Sequence, residues 1–424
     1  MKKIIAIMLS IAMFVSVFAM PASAAEINKN NATDYPYIFV HGMGGWGPDN
    51  SFYDISPYWG GGLSVGSGTD LIKILNEQGI EAYAPSVGPL SSAWDRACEL
   101  YAQLTGTVVD YGEAHSKAHH HDRYGFDYTG KATMGEPWDL KEKINLVGHS
   151  FGGATVRLFT SLLAFGDADE IAATGKDTSP LFKGGHDCVH SCITLSAPHN
   201  GSQVANILVD PQITFLVMSA ALNMIGSVFG NNFLVFSFQL GHYGITPRED
   251  QFRAWLNPVG IWNFYKYNDH CGYDMTLRGA AELNEKIKLA PNTYYYSYTT
   301  ANTKEGNLIK CQLPDKGLSP IFYISSMMLA ATKGFTVDGI KIEGDWELND
   351  GIVPLASAIY PSCDADTALS YEAEIEKGNR IKPGRWYYFE PMTGMDHFDF
   401  CGTKDYPKGF EEFYFGMINT ANSR

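Results

Sequence analysis

Asn145-Leu-Val-Gly148-His149-Ser150-Phe151-Gly152-Gly153 places a G-x-S-x-G pattern between an apolar run, Lys143 to Val147, and a segment of helical period, Thr155 to Ala164. A strand that turns sharply into a helix at a serine lifts that hydroxyl above the sheet edge. The glycines on either side keep side chains out of the turn. The pattern alone is weak evidence, because glycine makes up 43 of the 424 residues. It occurs a second time as Gly62-Leu-Ser64-Val-Gly66. Ser64 follows Gly60-Gly61-Gly62 with no strand before it and reads as a flexible loop, so context selects Ser150 as the nucleophile.

On either side of the elbow, apolar runs with strand character alternate with helical ones. Tyr37 to Val40, Val189 to Ser196 and Thr293 to Thr299 read as further strands, and Thr69 to Gln78 as an amphipathic helix. The alternation predicts a mostly parallel sheet with helices on both faces. With the elbow, this is the α/β-hydrolase fold, expected as one domain over residues 25–424.

In that fold the acid and then the histidine follow the serine in the chain. After His270 the sequence holds one histidine, His397, which the order makes the general base. Asp350, in Asn349-Asp350-Gly351, is the candidate acid. The same tripeptide suits a plain turn, and Asp345 and Asp315 are local competitors. Ile38-Phe-Val-His41-Gly42-Met43-Gly44-Gly45 is a strand entering a glycine loop. Such a loop supplies one backbone N–H to an oxyanion hole, which assigns the donors to Met43 and Phe151.

Composition sets outer limits. The chain is 45% hydrophobic and 18% charged, enough to bury a large core, and its net charge is −15. An acidic protein of this kind is not expected to bind nucleic acid or anionic membranes. Lys2 and Lys3, the apolar run from Ile4 to Met20 and Ala22-Ser23-Ala24 read as a secretory signal peptide over residues 1–24, so an extracellular location is expected. Seven scattered cysteines read mostly as buried thiols, with room for one bridge.

Longer segments resemble a known family, the secreted bacterial lipases of thermoalkalophilic Geobacillus type and, more distantly, of staphylococcal type. The most specific stretch runs from Val87-Gly-Pro-Leu-Ser-Ser-Ala-Trp-Asp95-Arg-Ala-Cys-Glu through Val109-Asp-Tyr-Gly-Glu-Ala-His115. Pro180-Leu-Phe-Lys-Gly-Gly-His186, Ser196-Ala-Pro-His199 and Pro291-Asn-Thr-Tyr-Tyr are similar too. The resemblance puts Ser150, Asp350 and His397 on the family's triad motifs. It implies a triacylglycerol lipase or carboxylesterase that meets lipid or ester substrate at an oil–water interface, without stable membrane insertion.

The resemblance also implies a structural zinc site in an insert at about residues 95–130, with ligands Asp95, His115, His121 and Asp274. His115 and His119 are four apart and would share a helix face, whereas His115 and His121 converge only if the chain turns between them. His119 is therefore the alternative to His121. A calcium site is implied at Gly317, Asp399, Asp405 and Tyr406, although Asp399 stands where the family usually has Glu. Residues 204–245 fall where the family has its lid, and Pro211 to Pro247 holds no Asp, Glu, Lys or Arg. Its run Ile213 to Phe229 is read as a covering helix. The alternatives are a phospholipase or short-chain esterase on the same fold, a metallohydrolase centred on the histidine cluster, and an idle lipid-binding protein.

Overall fold

The computed structural model describes residues 35–424 except 49–52, 55, 62–68, 209–238, 245–257, 308, 309 and 404–408. The signal-peptide reading of 1–24, the decoy Ser64 and, of the lid segment 204–245, residues 209–238 and 245 fall outside the described residues.

Seven strands form one sheet: β1 (Tyr37–Val40), β2 (Ala82–Tyr83), β3 (Ile144–His149), β4 (Val189–Leu195), β5 (Tyr294–Tyr298), β6 (Leu369–Ser370) and β7 (Trp386–Tyr388). Their order is β6-β7-β5-β4-β3-β1-β2. Every adjacent pair is parallel. The four strands expected from sequence are all in it, and β3, which leads into the elbow, lies inside the sheet between β4 and β1.

A parallel sheet must be covered on both faces, because its crossovers carry helices to each side. The alternation of β1 shows this in four residues. Ile38 and Val40 join one core with Leu100 and Leu104 of α2 (Ala93–Thr105) and Val156 and Phe159 of α4 (Phe151–Phe165). Tyr37 and Phe39 join the other with Leu71 and Leu75 of α1 (Leu71–Glu77) and Tyr414 and Ile418 of the last helix, Phe410–Asn422. That last helix is tied to β1, since Tyr37 Oη donates to Asn422 Oδ1 at 2.6 Å. These layers make the fold an α/β-hydrolase-type sheet, as expected.

All seven cysteines are free thiols, six of them buried. The one bridge for which the sequence left room is not formed. Among the described residues, no helix is long and apolar enough to cross a membrane.

Candidate active site and metal centre

Strand β3 ends at His149 and helix α4 begins at Phe151, so Ser150 carries the whole reversal. Its backbone sits at φ 55°, ψ −130°, a conformation that a non-glycine residue holds only when its surroundings impose it. The flanking glycines are required by space. A Cβ on Gly148 would lie 2.4 Å from Gly152 O, and one on Gly152 would lie 2.1 Å from Val40 O.

The sheet brings together three side chains far apart in sequence. Ser150 Oγ is 2.8 Å from His397 Nε2, and His397 Nδ1 is 2.7 Å from Asp350 Oδ2. All three residues are buried. Asp350 sits in a turn and faces the imidazole at once. Asp350 Oδ1 accepts from the amides of Ile352 (3.1 Å) and Val353 (2.8 Å), a turn-building arrangement, while Oδ2 faces the imidazole. The competitors lie elsewhere: Asp345 is exposed, and Asp315 pairs with Lys304. The ring of Phe322 stands edge-on to His397 and supplies an apolar wall.

Around the loop after β1, the amide of Gly42 donates to Tyr58 Oη, that of Gly44 to Pro89 O and that of Gly45 to Gly42 O. Among the described residues no acceptor takes the Met43 amide, and Phe151 opens α4, where first-turn amides have no helical partner. The loop's carbonyls are held by a buried cation that sequence reading missed. Arg96 of α2 donates to His41 O, Gly42 O and Gly88 O and, through Nε, to Thr155 Oγ1. Burial lowers its pKa to about 10, which leaves it charged at neutral pH.

The neighbouring residue on α2, Asp95, belongs to a second cluster. Asp95, His115, His121 and Asp269 bring one donor atom each to within 4.8 Å of one another. His115 Nε2 lies 3.2 Å from Asp95 Oδ1 and 3.4 Å from Asp269 Oδ2, and His121 Nε2 lies 3.3 Å from Asp269 Oδ2. The turn needed between the histidines is present. Helix α3 (Glu113–His119) is capped by His120 in the left-handed region, which swings His121 back beside His115. His119 instead faces Tyr267 O.

These residues fit a metal. Asp95 Oδ1, His115 Nε2 and His121 Nε2 are buried atoms with no hydrogen-bond partner. Two imidazoles and two carboxylates suit tetrahedral zinc, whose ligands about 2.0–2.1 Å from the ion lie roughly 3.3 Å from one another. Burial alone would raise the Asp269 pKa, but His115 and His121 outweigh it and hold the carboxyl well below its usual range. Burial likewise lowers His115, yet the Asp269 and Asp95 carboxylates bring it to about 10.

The fourth position corrects the sequence reading. Asp274 is not in the cluster. It ends α5 (Cys271–Asp274), and its Oδ2 accepts from the Ala93 amide at 2.7 Å, at the start of α2. Burial raises its pKa to about 7. The short helix between the two aspartates sends one carboxyl to the metal donors and the other to a backbone amide. Asp269→Ala should therefore abolish stoichiometric zinc binding and lower Tm by roughly 5–10 °C, whereas Asp274→Ala should retain the metal. Metal analysis and calorimetry of the two variants check this.

Of the implied calcium ligands, Asp405 and Tyr406 lie outside the described residues. Gly317 sits at φ 99°. The Asp399 carboxylate is occupied by protein donors, the Asp396 amide at 2.6 Å and Thr403 Oγ1 at 2.6 Å.

The lipase-like, C-terminal domain family matches residues 33–421. Lipase 2 of Staphylococcus aureus is 33% identical over 410 residues, 94% of this chain and 55% of that protein, so the chain spans about half the length of such relatives. Among solved structures, EstA from Clostridium botulinum is similar at TM-score 0.76 and 30% identity, covering 97% of this chain and 93% of that one. Staphylococcus hyicus lipase is similar at TM-score 0.75 and 31% identity, covering 94% and 98%.

Proposed function

Because the chain belongs to the lipase-like, C-terminal domain family, we propose that it is a secreted triacylglycerol lipase that cleaves acylglycerol esters through Ser150, His397 and Asp350. The observation that carries this is the continuous Ser150–His397–Asp350 hydrogen-bond chain at the end of a parallel sheet.

Each atom of that chain has a task. A carboxylate only accepts, so His397 carries its proton on Nδ1 and leaves Nε2 free to accept from Ser150. Ser150 Oγ attacks the ester carbonyl carbon as its proton passes to Nε2. The carbonyl oxygen becomes an oxyanion facing the amides of Met43 and Phe151. His397 returns the proton to the departing alkoxide, and the alcohol leaves an acyl-serine. Water then attacks the acyl carbon while giving a proton to Nε2, and the carboxylic acid departs as Ser150 regains its proton. Asp350 holds the tautomer and stabilises the imidazolium.

Asp95, His115, His121 and Asp269 would hold zinc as a structural ion, since four protein donors leave no position open for reaction. Asp95 adjoins Arg96 on α2, so the residues around the ion also steady the helix that holds the oxyanion loop. The metallohydrolase reading has no support in this arrangement.

The test is a series of esters. Glyceryl tributyrate, emulsified long-chain triacylglycerol and phosphatidylcholine vesicles should be hydrolysed with clear preference for the acylglycerols. A serine-directed phosphonate should abolish the activity in one-to-one stoichiometry at Ser150. A preference for phosphatidylcholine would make the chain a phospholipase, and activity untouched by the phosphonate would remove the triad from the mechanism.

A further inference from the structure

Two buried side chains outside the triad join the oxyanion loop to the catalytic histidine. Tyr58 Oη lies 2.9 Å from the Gly42 nitrogen and 2.6 Å from His149 Nδ1. His149 Nε2 lies 2.8 Å from the backbone carbonyl oxygen of His397. Both side chains are buried, at 4% and 0% exposure.

The chemistry of these atoms fixes the direction of every bond. A carbonyl oxygen only accepts, so His149 carries its proton on Nε2 and donates it to His397 O. Burial holds the ring well below its ordinary pKa and therefore neutral, so Nδ1 is bare and accepts. Tyr58 must then donate to Nδ1, and its oxygen is left to accept from the Gly42 amide. Burial keeps the tyrosine hydroxyl protonated as this requires. The Cys401 thiol, 3.5 Å from the same Nδ1 and also hydrogen-bonded to Tyr58, is a much weaker donor than the phenol and leaves this direction in place.

We infer that Tyr58 and His149 are positioning residues that lock the oxyanion loop to the catalytic imidazole through the chain Gly42 N–H to Tyr58 O–H to His149 Nδ1, and His149 Nε2–H to His397 C=O. Gly42 precedes the proposed donor Met43, and His149 precedes Ser150. The chain thus sets the distance between the oxyanion donor and the base that serves it. It touches no reacting atom. A hydrogen-bond network of this kind acts as a unit, so breaking any member should release both ends.

This inference rests on the triad reading above. Phosphonate labelling of the wild type at Ser150 checks that reading by itself and is done first; failure there overturns the triad, whatever the variants do. Tyr58→Phe keeps the ring and removes the hydroxyl. It should lower kcat on a soluble short-chain ester by about tenfold to a hundredfold, with KM within about twofold, short of the loss from deleting an oxyanion donor outright. His149→Gln should do the same, and the double variant should be no slower than the worse single one. Tyr53→Phe, which removes a hydroxyl bonded to Asp70 on the surface side, should leave kcat unchanged. A structural role alone would lower Tm and active-site titre while the titrated sites turned over at the normal rate. Unchanged kcat per titrated site in both Tyr58→Phe and His149→Gln, or additive losses in the double variant, would overturn the inference. If Tyr58→Phe fails to fold, His149→Gln decides it by the same measure.

Discussion

Replacing Ser150 by alanine should lower turnover on a soluble ester about a million-fold, to the level that the oxyanion amides and substrate binding sustain alone. The hydroxyl is the only part of Ser150 that the proposed reaction uses. Alanine keeps a Cβ in the same strained backbone position, so the fold and Tm should barely change. Ser64→Ala, at the second G-x-S-x-G match, should leave the rate within about twofold. Initial rates and mass spectrometry after phosphonate treatment check both variants. Label on Ser64 in the Ser150→Ala protein, with activity retained, would move the nucleophile to the other motif.

Asp350→Asn separates the two tasks of one side chain. Its oxygen can still accept from the Ile352 and Val353 amides, so the turn should persist and Tm should fall by no more than about 2 °C. The amide nitrogen would then face His397 Nδ1 and donate where the carboxylate accepts. His397 would be driven to the other tautomer, with its proton on Nε2 pointing at Ser150, and could no longer accept the serine proton. Turnover should fall about ten-thousand-fold. A pH-rate profile and calorimetry on the same preparation give the answer. A loss of Tm that matches the loss of rate would return Asp350 to the role of a turn residue.

The fold was legible where the chemistry is local. Tyr37–Val40 reads as a strand because its apolar run is unbroken, Lys143 to Val147 because it is largely apolar, and the glycines at 148 and 152 announce the turn from the second of these into the helix that follows. Chain order selected His397 because no other histidine follows His270. The metal donors were harder. His115 and His121 required a reversal between them, which His120 supplies, and sequence spacing gives no sign of which residue will adopt a left-handed backbone. Asp269 and Asp274 are both acids beside the same short helix, and only the packing of that helix against Ala93 decides which carboxyl meets the histidines. Tyr58 and His149 are 91 residues apart, so nothing along the chain pairs them. Arg96 is similar: an arginine in the first turn of a helix is ordinarily solvated, yet this one is fully buried among the carbonyls of the loop after β1.

The contact between Tyr37 and Asn422 spans 385 residues and closes the sheet's second face with the final helix. Leu71 and Leu75 cover the same face of β1 from close by in the chain, but Tyr37 gains its polar partner only when the helix Phe410–Asn422 docks. The hydroxyl of Ser150 likewise meets the ring of His397 across 247 residues. Closing this face and assembling these side chains are therefore long-range events that follow the local strands and helices.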